Sequence, residues 1–357
     1  MTVFEDLFVD HVGFSVGDLA ETAELFVDRY GFTVYARSAA TARSGGARTV
    51  ALGGEDIRFV LTQANDVDHP AAAYVERHGD GVSDIALSTP DAGAAFAEAV
   101  RRGARPVTSP AAQGDVVTAS IVGFADVVHT FVQRPPSTDR RTLPGLSPVT
   151  PPPAAAGERI RLGTVDHFAV CLEAGQLGPT VDFYETVLDF EMVFTQRIVV
   201  GRQAMNSRVV QSRSGAVTLT LLEPDVSRDP GQIDQFIKDH GGAGIQHIAF
   251  TTDDIVEAVS GLGANGIEFL RTPGTYYDLV PERLRLARHS IDELRALNIL
   301  VDQDQDGQLL QIFSKTVHPR GTLFFEVIER AGARTFGSGN INALYTAVEL
   351  QRYRESQ

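Results

Sequence analysis

The chain has 357 residues, enough for two ordinary domains and a sizeable core without disulfides or structural metals. It carries 31 basic and 46 acidic side chains, and a formal charge of −15 argues against nucleic acid or an anionic membrane surface as a partner. No apolar run reaches spanning length, the opening MTVFEDLFVD lacks the order of a signal peptide, and a lone cysteine, Cys171, excludes a disulfide framework or a Cys-rich zinc site. A cytoplasmic protein is expected.

In chain order, residues 9–35 (VDHVGFSVGDLAETAELFVDRYGFTVY) read as a strand opened by Val-Asp-His, a polar loop, an amphipathic helix and an aromatic-rich strand. Residues 79–87 (GDGVSDIAL) open a strand that leads into a helix over 91–102, then glycine and another strand. VVHTFVQR at 127–134 closes the first half. Residues 135–153 hold seven of the 17 prolines; proline fixes φ and lacks a donor, so this stretch is neither helix nor central strand. The series then restarts. Residues 165–194 (VDHFAVCLEAGQLGPTVDFYETVLDFEMVF), 242–250 (GAGIQHIAF) with a helix over 255–265, and 323–330 (LFFEVIER) repeat the three landmarks.

The offsets support one duplicated plan. His11 and His167 are 156 residues apart, Asp84 and His247 are 163, and Thr130 and Glu326 are 196. The last exceeds the second by 33, which places an insertion after about Leu270. Within it Ser290 and Glu293 form a capping box ahead of a helix carrying Ile291, Leu294 and Leu297. The predicted fold is α+β: paired βαβββ modules forming two open, barrel-like curved sheets with outer helices. The expected divisions are a scaffold pair at 1–134, a Pro-rich linker at 135–163, a metal-binding pair at 164–335 and a C-terminal lid helix at 336–357. In that last segment Ile341, Leu344, Tyr345 and Val348 share a helical face behind a glycine-rich hinge.

The chemistry shows where the repeats differ. His167, His247 and Glu326 occupy positions that hold His11, Asp84 and Thr130 in the first half. Two imidazoles and a carboxylate facing one cavity suit divalent iron with open coordination positions; one histidine, one carboxylate and an alcohol make a poorer set. By alternation His167 shares its face with Ala169 and Cys171, His247 with Ala249 and Thr251, and Glu326 with Phe324 and Ile328. A glutamate inside LFFEVI needs compensation, from a metal or from an arginine such as Arg330. A histidine alone on a strand can equally be a satisfied core residue. For His69, His78, His129, His240, His289 and His318, solvated or capping roles are expected. Asp302-x-Asp304-x-Asp306-Gly307 resembles a calcium loop, but its twelfth position is Phe313, so an acidic turn is predicted. Cys171 reads as a small core residue. Ser207, Thr218, Thr220 and Gln311 are inward-capable polar residues that could orient a ligand.

These residues resemble the vicinal-oxygen-chelate superfamily and, within it, the 4-hydroxyphenylpyruvate dioxygenase family of iron(II) enzymes. The segments that carry the likeness are VDHFAVCL, GAGIQHIAF, LLQIF, GTLFFEVIER and FGSGNINALY. The resemblance implies Fe(II) on His167, His247 and Glu326, substrate contacts at Gln311 and Ser207, and a lid over 336–348 that includes Phe336. Two departures are similar to the 4-hydroxymandelate synthase branch. Where the dioxygenases usually show Pro-Leu-Asn-Glu-Pro, this chain has Thr220-Leu221-Leu222-Glu223-Pro224. Where their lid reads Gly-Asn-Phe-x-Ala-Leu-Phe, this chain has Gly339-Asn340-Ile341-Asn342-Ala343-Leu344-Tyr345. The implied substrates are 4-hydroxyphenylpyruvate and O2, the implied products 4-hydroxymandelate and CO2, and the implied use is 4-hydroxyphenylglycine for peptide antibiotics. No nucleic acid or membrane partner is expected, and a homodimer is an open assembly. Homogentisate formation, extradiol ring cleavage and a metal-free ligand-binding or resistance module stand as alternatives.

Overall fold

The structure, a computed structural model, describes residues 3–39, 46–54, 56–150, 160–316, 318–337 and 339–340. The duplicated plan appears as two mixed sheets. In the second, eight strands lie side by side in the order Glu191–Val200, Gln203–Gln211, Thr218–Pro224, Val165–Cys171, Gly244–Thr251, Phe324–Ala331, Gln308–Phe313, Leu300–Gln303. The first sheet repeats this order with the matching strands. Its ninth strand, Leu146–Pro148, comes from the Pro-rich stretch and pairs at the edge with Thr33–Ser38. An edge is where proline's missing donor does no harm. The other expected linker residues at 151–159 lie outside the described residues.

The helices start where their caps sit. Asp91 and Asp254 accept from the backbone at the N-termini of Ala92–Arg101 and Ile255–Ala264, and Ser290 with Glu293 forms the capping box of Ile291–Leu297. The insertion also contains a helix that was not predicted, Gly274–Arg283, with Pro281 inside it. Its proline and weak apolar periodicity hide it in the sequence, while Tyr276 and Tyr277 are buried and anchor it. The expected acidic turn lies at 304–307, with Asp302 near the end of the preceding strand and Asp304 accepting from the amides of Asp306 and Gly307.

Strand alternation then sorts the side chains. Phe250 and Phe325 join Phe26, Phe32 and Phe59 of the first half in one aromatic seam, with ring centroids 5.0 to 6.4 Å apart. Phe325 and Glu326 are neighbours in sequence, so they face opposite sides of the sheet. Behind them a separate apolar cluster of Ala169, Cys171, Ile198, Met205, Leu222, Ile233 and Phe236 lines the other face. Cys171 is fully buried there, and burial pushes its thiol far above the ordinary range. It is the core residue expected. No helix among the described residues is long and apolar enough to cross a membrane.

Candidate metal centre

Register places the predicted donors on one face. Ala169 pairs with His247, His167 with Ala249, and Ala249 with Glu326. Each bulge in this strand pair falls beside a donor, one between Val165 and His167 and one opposite Ala169–Val170. Bulges re-aim side chains, and the first half carries the same two between Phe8–Ser15 and Gly81–Ser88. His167 Nε2 and His247 Nε2 each lie 3.4 Å from Glu326 Oε2. The ligand atoms of all three lie within 4.8 Å of one another.

The electrostatics fit a cation. Glu326 is 3 % exposed. Burial pushes its carboxyl up, but the hydrogen bonds from His167 and His247 prevail and hold it below its usual value. Among the described residues no lysine or arginine pairs with it. Arg330, the alternative partner, instead grips Asp166, with Nε to Oδ2 at 2.7 Å and Nη2 to Oδ1 at 2.8 Å. Asp166 in turn accepts from His167 Nδ1 at 2.8 Å. Against the burial penalty, Asp166 and Glu326 lift His167 to about 9, so a proton occupies the space a metal would neutralise. Burial keeps His247 below its ordinary value, and its Nδ1 has no hydrogen-bond partner among the described residues.

The remaining pocket residues follow by register. Thr220 pairs with Ala169 and Leu222 with Cys171; Ser207 pairs with Leu222 and Gln196 with Ser207; Gln311 pairs with Ile328. All lie on the donors' face. Gln196 Oε1, Thr220 Oγ1 and Gln311 Oε1 are buried without a partner among the described residues, as is His247 Nδ1. Buried polar atoms are rarely left so, and their gathering on one wall suits a polar ligand. Phe336 packs edge-on to His167 at 5.2 Å. Next to it Gly337 has φ of +70° and sits where any Cβ would collide with the Gln311 amide. Ile341 and Tyr345, and most of the expected lid, lie outside the described residues. Thr218 bonds Gln211 at 3.0 Å and serves the sheet.

Sequence reading missed Gln196 and Asp166, and weighed Arg330 only as a partner for Glu326. Asp166 and Arg330 had a signal: Asp10 and Asp166 precede the matched histidines, and Arg134 and Arg330 are 196 apart, like Thr130 and Glu326. In the first half the matched positions satisfy one another. Thr130 donates its hydroxyl to Asp84 at 2.6 Å and its amide at 3.1 Å, and burial raises Asp84 to about 6. His11, Asp84 and Thr130 form no ligand cluster among the described residues.

The expectations for four of the other histidines are corrected. His78 and His240 end two helices, are buried, and stack at 4.2 Å where the halves meet. His129 bridges the halves, bonded to Ile85 O at 3.2 Å and the Tyr184 hydroxyl at 2.8 Å. His289 bonds Glu329 at 3.0 Å, within a second group of potential ligands with Asp254. There Arg288 and the Ile255 amide already occupy Glu329. His69 does cap a helix. A cavity of about 260 Å³ at the seam touches Asp10, Arg58 and Asp166 but none of the three clustered donors.

The chain is similar to known proteins along most of its length. The family described as the Glyoxalase/Bleomycin resistance protein/Dioxygenase superfamily matches residues 10–119 and 164–280. A mutant of 4-hydroxymandelate synthase from Streptomyces coelicolor is 41% identical, with a TM-score of 0.85 over 97% of this chain and 98% of that one. The 4-hydroxyphenylpyruvate dioxygenases of Dictyostelium discoideum and Yarrowia lipolytica are 33% and 32% identical; each alignment spans 96% of this chain, and 97% and 91% of theirs. The vicinal-oxygen-chelate architecture, the twofold repeat and these full-length likenesses lead to one conclusion: the chain belongs to the 4-hydroxyphenylpyruvate dioxygenase family.

Proposed function

We propose that this chain is a non-haem Fe(II) oxygenase that converts 4-hydroxyphenylpyruvate and O2 to 4-hydroxymandelate and CO2. The observation that carries the iron reading is the convergence of two imidazoles on a buried carboxylate that has no lysine or arginine partner among the described residues. His167, His247 and Glu326 would hold the ion. Bound iron(II) supplies the redox chemistry that an α-keto acid and dioxygen need. The chain's own residues do the rest. Asp166 keeps the proton on His167 Nδ1, which leaves Nε2 as the donor atom. Ala169, Cys171, Ile198, Met205 and Leu222 exclude water from the wall. Ser207, Thr220 and Gln311 are placed to orient the substrate's polar groups, and Phe336 to cover His167.

The product choice rests on Leu222 and Ile341. Leu222 offers no hydrogen bond where the dioxygenases usually have asparagine, and Ile341 is smaller than phenylalanine. Both changes favour a ring pose that presents the benzylic carbon rather than the ring to oxidation. One oxygen atom of O2 then ends in the new carboxylate and the other in the benzylic hydroxyl, as CO2 leaves. The product would serve as a source of 4-hydroxyphenylglycine for peptide antibiotics. The 4-hydroxyphenylpyruvate dioxygenases among the relatives support a second reading, with homogentisate as product. The two products are isomers, so mass alone cannot separate them. Chromatography after incubation with Fe(II), ascorbate and 4-hydroxyphenylpyruvate is expected to give 4-hydroxymandelate. Homogentisate as the main product overturns the synthase reading. Leu222→Asn combined with Ile341→Phe is expected to move a measurable share of product to homogentisate; no shift refutes the account of the fork.

A further inference from the structure

We infer that Arg330 is a positioning residue that couples the donor His167 to the chain segment packed over it, residues 333–337. The inference rests on the metal-centre reading above. Every nitrogen of this guanidinium is engaged. Nε and Nη2 hold Asp166 in a two-point fork at 2.7 and 2.8 Å, and Asp166 holds His167 Nδ1 at 2.8 Å. Nη1 donates to the carbonyls of Ala333 at 3.1 Å and Thr335 at 2.8 Å. The guanidinium also lies 5.1 Å from the centroid of the Phe336 ring, whose edge-on partner is His167 at 5.2 Å.

These contacts close a loop. From His167 the chain of contacts runs through Asp166 and Arg330 to Thr335 and Phe336, and returns to His167. A planar fork with several donors can join these groups in one geometry; a point charge cannot. Asp304 fastens the same segment from its other side, accepting from the amides of Arg334 at 2.7 Å and Thr335 at 2.9 Å. The segment that leads into the expected lid therefore shares its support with a proposed metal donor. Rotation of His167 would be felt at Phe336, and displacement of Phe336 would be felt at His167.

The duplication provides a matched control. Arg134 grips Asp10, Asp10 holds His11 at 2.7 Å, and Arg134 donates to the Thr142 carbonyl at 2.9 Å. Among the described residues no aromatic ring packs on His11, and its half has no donor cluster. Arg134→Gln should therefore destabilise its half much as Arg330→Gln destabilises the other, without touching the metal.

The test titrates Co(II) alone into the metal-free full chain and follows amide hydrogen exchange over 333–337. Arg330→Gln is expected to weaken Co(II) binding by ~10–100-fold, the usual cost of losing an outer-shell partner. In the wild type, Co(II) should slow exchange over 333–337; in the variant that slowing should vanish, because the coupling between two sites is reciprocal. If Arg330→Gln does not fold, Arg330→Lys keeps the charge, loses the fork and carries the same expectation. Wild-type affinity in the folded variant, or equal weakening by Arg134→Gln, overturns the inference while leaving the metal centre intact. A wild-type chain that binds no Co(II) overturns both.

Discussion

The two halves share strand order, bulge positions and the Asp–Arg clamp behind a histidine, yet they solve the same burial problem differently. In the first half Thr130 donates to Asp84, whose carboxyl burial raises to about 6. In the second, Glu326 stays anionic between two imidazoles. Where the repeats agree, they describe a fold; where they differ, they describe a reaction. Two differences, Asp84 against His247 and Thr130 against Glu326, separate a satisfied wall from the proposed cation site.

The largest expected effect breaks that contrast at its centre. Glu326→Gln should remove stoichiometric metal and lower kcat/KM on the order of a thousandfold, about 4 kcal/mol of transition-state stabilisation. Thr130→Ala, its counterpart, should leave metal content unchanged and cost about 1 kcal/mol of stability, the worth of one hydrogen bond. Metal analysis beside thermal unfolding reads both; equal metal loss in the two variants would erase the distinction between the halves.

A smaller effect concerns Asp84. Below its ordinary value of 3.8 both folded and unfolded chains hold the proton, and between there and about 6 only the folded chain does. Stability is therefore lost as pH rises through that window, by about 3 kcal/mol. Asp84→Asn, which can still accept from Thr130, should raise the Tm by several degrees at pH 7 and by little at pH 4. The same exchange at the matched position, His247→Asn, should abolish metal binding. An Asp84→Asn chain no more stable than wild type at pH 7 would show that the buried carboxyl carries no strain.

An effect of similar size lies on the seam between the halves. Burial lowers His129 from 6.5 to about 4. The unfolded chain takes up the proton first, so stability falls as pH drops from 6.5 towards 4, by about 3 kcal/mol for this group. His240, lowered to about 4 by burial and by His78, adds to the same slope. His129→Gln should be less stable near neutrality but lose stability less steeply on acidification. Denaturant unfolding at stepped pH checks this, and an unchanged slope would assign the acid sensitivity elsewhere.

Much of this was legible because it is local or repeated. A cap bonds an amide two or three residues away, so Asp91, Asp254 and Ser290 announce their helices in the sequence. Strand alternation and the matched repeat positions pick out His167, His247 and Glu326, because duplicated positions keep their facing. What only the tertiary structure decided involves partners far apart in the chain. Arg330 lies 164 residues from Asp166, and nothing in LFFEVIER says that it prefers Asp166 to the nearby Glu326. Gln176 offers no side-chain cap to the helix Leu177–Leu188, and Glu223 takes over across the sheet, accepting from Gly175 and Leu177. His78 and His240 stack because two helices of the duplicated plan end at the same seam. Local hydrogen bonds and periodicity are written residue by residue; the choice among buried partners depends on which strands become neighbours and how a bulge turns each side chain.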